Sequence, residues 1–289
     1  MVSLKKILLY PNKKRDDGFR ITSQLAATLH SFGIAPVVAD VAWFGVPDYV
    51  ERKSMYEALS SADMLISLGG DGTILSIAAS AAKSNLPILG INIGNVGFMT
   101  ALDKFSLETP DGVSLLKNII DGEYFIDRRM MLQAEVIRNG SCVFEAIALN
   151  DAVVSGDKVS RMVHLNLWNG GHFVSQFRGD GIIAATPTGS TAYSMSAGGP
   201  VVDPGAENLI ITPICAHAYA VRSFVFSGKD VAYIDCVSSE NSAYLTIDGA
   251  TGIALSAGDR VKVSKSEQVC LLVRLQNYNF YDIISTKLR

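Results

Sequence analysis

Apolar runs and helical stripes alternate along the first third of the chain. Ile7-Leu8-Leu9-Tyr10 is an unbroken run of strand length, and Ile21, Leu25, Leu29 and Phe32 then recur at helical spacing. Residues 34–39 read as a second strand and 49–60 as a second helix. Met64-Leu65-Ile66 is short, apolar and bounded by a turn signal, which suits a parallel-sheet strand. Ile74, Ile77, Ala78 and Ala81 fall on one helical face beyond it, and residues 87–91 give a fourth strand. The alternation predicts an α/β N-terminal domain with a parallel sheet, binding ligands where strands end and helices begin.

After about residue 124 the pattern changes. Residues 131–138 and 142–149 flank Asn139-Gly140, a strong hairpin signal, and 163–168 and 172–178 flank Asn169-Gly170-Gly171 in the same way. Further short strands read at 209–214, 221–226, 231–237, 243–247, 260–263 and 269–275. Many short strands with turn signals predict a mostly antiparallel, β-sandwich-like C-terminal domain. One helix interrupts them, starting near Ser190 and ending at Gly198-Gly199-Pro200. The domains expected are 1–124 and 125–275, joined without a flexible linker.

Composition narrows the classes of partner. A chain of 289 residues, 48% apolar and 18% charged, can bury a large core and favours two domains. A formal net charge of −3 leaves no basic footprint for nucleic acid. No run approaches the ~18 apolar residues that span a bilayer, and the run after Lys5 and Lys6 is too short for a signal-peptide core. Cys142, Cys215, Cys236 and Cys270 are widely spaced, as reduced thiols of a cytoplasmic protein would be.

Two stretches carry candidate chemistry. Gly69-Gly70-Asp71-Gly72-Thr73 follows a strand and opens a helix, so its glycines allow close backbone approach and its N–H groups favour an anion such as phosphate. Asp71 is then a lone acid in a place built for negative charge, unless it simply caps the helix. A second glycine-bearing turn, Asn92 to Phe98, follows the next strand and would converge on the same crevice. Residues 178–194 run strand, Pro/Gly turn, then a hydroxyl-rich helix start. There Thr188, Ser190, Thr191 and Ser194 supply donors and Tyr193 a flat face. The plainer reading is a well-capped helix joining two sheets. Lys13-Lys14-Arg15-Asp16-Asp17 is either a solvated loop or a basic grip on phosphates. His164 and His172 have no nearby cysteine, so no metal ligands are assigned.

With these segments in view, the chain resembles the NAD kinases, which phosphorylate the adenosine ribose 2′-hydroxyl of NAD to give NADP. The resemblance rests on residues 69–73, Asn92-Ile93-Gly94 with Gly97-Phe98, and Asp127-Arg128-Arg129-Met130-Met131-Leu132. It continues through Leu149-Asn150-Asp151, 178–196, Thr212-Pro213-Ile214-Cys215, Asp248-Gly249 and Ser285-Thr286-Lys287-Leu288. Lipid kinases share the glycine turn, whereas the segment from Thr186 to Ser194 is similar to NAD kinases in particular.

The resemblance implies that Asp71 faces the acceptor hydroxyl as general base, with Gly70, Gly72 and Thr73 at the nucleotide and phosphates. It implies Phe98 beside the adenine, and Asn150 and Asp151 on the nicotinamide-side ribose. Arg161 and Arg178 would lie near the phosphates, and Asp180, Thr191, Ala192, Tyr193, Ser194 and Ser196 would line the dinucleotide pocket. It further implies ATP or polyphosphate as donor, Mg²⁺ or another divalent cation, a homo-oligomer (dimer or tetramer), and a segment 276–289 that packs back on the first domain. Asp71 could orient the hydroxyl and accept its proton late, or help hold the metal. Asp151 stands where many relatives have Glu, and Ala250 where Gln is common. Two rivals remain at this point: a lipid kinase with the same turn, and a non-catalytic NAD(P)(H) sensor.

Overall fold

The computed structural model describes residues 4–39, 46–94, 97–103, 109–156, 162–217, 222–237, 243–276 and 278–287. The chain forms two compact units, Met1–Arg128 with Cys270–Arg289, and Arg129–Val269.

In the first unit, β1 (Lys6–Pro11), α1 (Arg20–Ser31), β2 (Ala35–Ala39), β3 (Glu51–Lys53), α2 (Met55–Ser61), β4 (Met64–Gly69), α3 (Asp71–Lys83), β5 (Ile88–Asn92), β6 (Leu102–Asp103) and α4 (Pro110–Ile120) follow in order. The strands pair in parallel as β3-β2-β1-β4-β5, with β6 beside β5. Every residue of β4 and β5 is buried, because helices cover both faces of such a sheet. Leu9, Leu25, Leu29, Ile66, Leu89 and Leu116 belong to one apolar core.

The helix expected over 49–60 is shorter. Ser54 accepts the amide of Glu57 while the Glu57 side chain reaches back to Ser54, and this capping box fixes the helix start. Residues 51–53 instead pair with β2. Helix α4 falls where the strand–helix pattern assigns no element; Thr109 caps it and Pro110 opens it.

Strand β7 (Phe125–Arg138) leads into the second unit. There follow β8 (Ser141–Ala148), β9 (Asp151–Gly156), β10 (Val163–Asn169), β11 (His172–Gly179), β12 (Gly181–Ala185), the short α5 (Tyr193–Ser196), β13 (Asn208–Ile214), β14 (Phe224–Ser227), β15 (Ala232–Cys236), β16 (Ala243–Ile247), β17 (Thr251–Leu255) and β18 (Arg260–Arg274). One sheet has the order β14-β13-β12-β9-β16-β17, all antiparallel. The other contains the β7–β8 and β10–β11 hairpins with β15 and β18. Leu132, Val154, Leu165, Ile182, Ile211 and Val261, drawn from both sheets, share one core. At the first hairpin Asn139 and Gly140 both have positive φ, 51° and 80°, as a type I′ turn requires.

The helix expected from Ser190 to Gly198 is broken. A 3₁₀ turn, Thr188–Thr191, precedes the four-residue α5, and Ala192 between them leaves the helical region at φ −104°, ψ −129°. Ser190 spends its hydroxyl on the backbone of Val202 rather than on a cap. The two strands expected over 260–275 are one continuous β18.

The end of β18 and helix α6 (Phe280–Lys287) belong to the first unit, where Leu272 pairs in parallel with Ile88. Among the described residues no helix is long and apolar enough to cross a membrane.

Candidate active site

β4 ends at Gly69, and Asp71 is the first residue of α3, so the turn places its carboxylate at a helix N-terminus. That carboxylate is held by the chain that follows the neighbouring strand β5. Oδ2 accepts the Phe98 amide at 2.8 Å and Oδ1 accepts the Met99 amide at 3.0 Å. A Cβ on Gly97 would lie 1.9 Å from Asp71 Oδ1, so only glycine lets the two turns meet. Gly69 is equally constrained, its absent Cβ falling 2.0 Å from Thr73 Oγ1. Thr73 is buried and its hydroxyl accepts from Asn12 Nδ2 at 3.1 Å. Nothing lies within 4 Å of a Cβ built on Gly72, which faces open space.

The neighbouring turn is shaped by Asn92, whose side chain accepts the Gly94 amide and donates to the Gly94 carbonyl. Arg15 lies against both turns. A Cβ on Gly94 would meet its Nη1 at 2.6 Å, and one on Gly70 at 3.6 Å. Its neighbour Asp16 is buried and accepts the amides of Ile21 and Thr22, so the 13–17 loop is anchored beneath its charged tip. Phe98 is half-buried, with the Lys287 ammonium 4.3 Å from its ring centroid.

The second unit builds a different cluster. Asp248, at φ 48°, accepts the amides of Leu149 (2.8 Å), Asn150 (2.8 Å) and Asp151 (3.0 Å). Thr186 donates its hydroxyl to the Leu149 carbonyl and its amide to that of Asn150. Gly189 packs so closely that a Cβ would sit 2.1 Å from the Asn150 oxygen. Asn150 and Asp151 are thus buried on a turn clasped from two sides. Burial, and then the nearby Asp248 carboxylate, push Asp151 from 3.8 up to about 7. Asp248 is raised too, by burial, against the pull of its three amide donors.

The hydroxyls of the 188–196 segment are mostly committed within the fold. Thr188 accepts from the buried Arg129, Thr191 donates to the Thr188 carbonyl, and Ser194 is fully buried against Thr212. Tyr193 is 47% exposed and offers its ring to solvent. Ala192 and Ser196 flank it.

The structure therefore gathers Gly70, Asp71, Gly72, Thr73 and Phe98 in one unit, and Asn150 and Asp151 with Thr186–Gly189 in the other. It does not bring Arg178 and Asp180 to Asp151. β12 runs antiparallel to β9 with Ala185 opposite Asp151 and Gly181 opposite Ser155, which puts Asp180 about 16 Å along the strand from Asp151. Arg178 instead lines a 240 Å³ cavity with His164, Gln176, Phe177 and His217. Asp180 binds the exposed Cys215 thiol and raises its pKa. Arg161 lies outside the described residues. The Phe98 and Met99 amide clamp has one local signal in the sequence, the glycine at 97.

Comparison with known proteins gives a consistent result. Residues 16–124 match the family model described as the ATP-NAD kinase N-terminal domain, and residues 149–275 the ATP-NAD kinase C-terminal domain. The chain is 37% identical to an NAD kinase of Caldanaerobacter subterraneus over 285 residues, covering 99% of both chains. It is 40% identical to one of Symbiobacterium thermophilum over 288 residues, again covering 99% of both. Among solved structures, yeast NADH kinase complexed with NADH superposes with a TM-score of 0.88 at 21% identity, covering 100% of this chain and 88% of that one. An NAD kinase from Archaeoglobus fulgidus in complex with ATP superposes with a TM-score of 0.72 at 26% identity, covering 99% of both.

Proposed function

The chain belongs to the NAD kinase family, and on that premise we propose that it transfers the terminal phosphoryl group of ATP to the adenosine ribose 2′-hydroxyl of NAD. The observation that carries the mechanism is the clamped Asp71 carboxylate at the head of α3. Phosphoryl transfer through a loose transition state asks mostly for positioning and charge stabilisation. Each Asp71 oxygen spends one acceptor site on an amide and keeps another for a ligand. The carboxylate can therefore orient the acceptor hydroxyl and take its proton late, while α3 N–H groups and Arg15 face the donor phosphates.

The residues present fit a Mg²⁺ carried by the donor phosphates rather than a resident metal. Among the described residues no three His, Cys, Asp or Glu side chains group as ligands, and Mg²⁺ commonly binds through one carboxylate plus substrate phosphates and water. Asp71 would reach it directly or through water, and the ion would neutralise charge on the transferring group.

On the second unit, Asn150 and Asp151 receive the nicotinamide-side ribose, with Tyr193 beside the dinucleotide. The separation of Asp180 from Asp151 along the β9–β12 ladder supports a homo-oligomer in which a neighbouring protomer supplies Asp180. The four widely spaced free cysteines support the cytoplasm as its compartment. The donor is ATP or polyphosphate, and the ATP complex of the archaeal relative supports ATP. A lipid kinase would not need the residues that fold 186–196 against Asn150, and a mere sensor would not need Asp71.

NADP formation from NAD, ATP and Mg²⁺, read with a coupled NADP-specific dehydrogenase, tests this reading. No NADP above a no-enzyme control would contradict it. In the same assay Gly72→Ala separates fold from function. The site is open and helical, so alanine should hold or raise stability by about 0.5–1 kcal/mol. The added methyl intrudes on the approaching phosphates, and KM for ATP is expected to rise about tenfold. An unchanged KM for ATP would remove Gly72 from the donor site.

Asp151 predicts a pH dependence. A carboxyl raised on folding holds its proton more tightly in the folded state. Its stabilising contribution is therefore complete below the ordinary carboxylate range and is lost as pH rises through about 7. Asp151→Asn should abolish this loss, so thermal melts of the ligand-free variant should gain on wild type as pH rises, by up to about 4 kcal/mol. Parallel melting curves at all pH values would contradict it.

A further inference from the structure

Arg274 is wholly buried, at the end of β18, with 0% side-chain exposure. A cation withdrawn from water costs several kcal/mol unless it is paired and fully hydrogen-bonded. Here the Nε–H donates to Asp127 Oδ2 at 3.2 Å. The two remaining nitrogens serve three consecutive carbonyls: Nη1 donates to Met99 O at 2.9 Å and Thr100 O at 3.3 Å, and Nη2 to Phe98 O at 3.3 Å. The Tyr278 ring flanks the guanidinium, with its centroid 4.1 Å from Cζ.

The carbonyl of Phe98 and the amide of Met99 belong to one peptide group. That group is planar and trans, so its C=O and N–H point in opposite directions. One side of the plane meets Arg274 and the other meets Asp71 Oδ1. The cation on the carbonyl fixes the plane and polarises it, which strengthens the N–H as a donor. The Phe98 amide, one residue earlier, holds the other carboxylate oxygen. Gly97 lets the turn come close enough for both bonds.

We propose that Arg274, with Asp127 as its counter-charge, is a positioning residue for phosphoryl transfer. It acts through the Phe98–Met99 peptide plane to hold the Asp71 carboxylate toward the acceptor hydroxyl. The proposal rests on the reading of Asp71 given above. The planar fork explains why the residue is arginine: an ammonium cannot reach three carbonyls and a carboxylate together. A buried pair of this kind is weak evidence for stability in itself, since apolar replacements are often neutral. Its consequence is geometric.

The test uses the full chain. Arg274→Met keeps an apolar stem and removes every donor. The expected result is a folded protein whose kcat falls about 10²-fold, while KM for NAD and ATP stays within about threefold. In ¹⁵N-labelled protein the Phe98 and Met99 amide protons should move upfield as their carboxylate bonds loosen. Arg274→Lys should recover part of both effects. A folded Arg274→Met with wild-type kcat, or with unmoved amide resonances, overturns the proposal. If Arg274→Met does not fold, Asp127→Asn decides the matter. It leaves the guanidinium in place without its counter-charge, and kcat should fall about tenfold at constant KM; wild-type kcat there overturns the proposal. Asp71→Asn separates the two readings, because its amide shifts report the tether while its turnover reports the role of the carboxylate.

Discussion

Asp71→Asn is expected to bind NAD as tightly as the wild type and to form NADP about 10³-fold more slowly, in the range of a lost general base. The carboxylate accepts one amide on each oxygen. An asparagine offers one oxygen and one NH₂, so one of the two amides must face a donor. That mismatch costs about 1–3 kcal/mol and turns the side chain from its working position. In the proposed mechanism the acceptor hydroxyl also loses the charged oxygen that aligns it. The dinucleotide contacts proposed for Asn150, Asp151 and Tyr193 lie elsewhere in the chain, so affinity measured by calorimetry should hold while kcat collapses. A variant with near-wild-type turnover would remove Asp71 from the mechanism.

Gly97→Ala is expected to lose about 10²-fold in kcat without removing a polar group. Its methyl would lie 1.9 Å from Asp71 Oδ1 and 2.5 Å from the carboxylate carbon. Either the 97–99 turn withdraws or the carboxylate rotates, and both outcomes break the amide bonds. A displacement of about 1 Å in a catalytic group can cost 10²-fold, and kcat should fall by that order with KM for NAD little changed. Gly72→Ala, one helical position beyond Asp71, is the internal control, since there the space is empty and the expected effect is on the donor. Equal kcat for Gly97→Ala and wild type would show that the close approach has no functional weight.

The parallel strands were legible because burial on both faces leaves unbroken apolar runs, as in Met64-Leu65-Ile66. The hairpins were legible because Asn139-Gly140 and Gly170 need positive φ. The turn at 69–73 was legible as a motif, since glycines around one acid between strand and helix admit few readings. What holds Asp71 was not. Its partners lie 27 and 28 residues away, and backbone amides carry no sequence signature. Asp248 likewise acts on main-chain groups almost a hundred residues away. The hydroxyls at 188–194 looked like ligand donors, but Ser190, Thr191 and Ser194 bond within the segment or to Val202 and Thr212. Composition cannot tell a hydroxyl that pins a turn from one that faces a substrate. Helix α4 could have been read from Thr109-Pro110 with Leu116, Ile119 and Ile120 on one face.

In the proposed reaction the phosphoryl group passes from ATP to one particular hydroxyl of NAD. ³¹P NMR of a reaction containing the protein, NAD, ATP and Mg²⁺ tests it most directly. A new phosphomonoester resonance at the adenosine ribose 2′ position is expected, growing in step with ADP and absent with Asp71→Asn over the same period. ADP and inorganic phosphate without a new ester, or an ester at another hydroxyl, would contradict it.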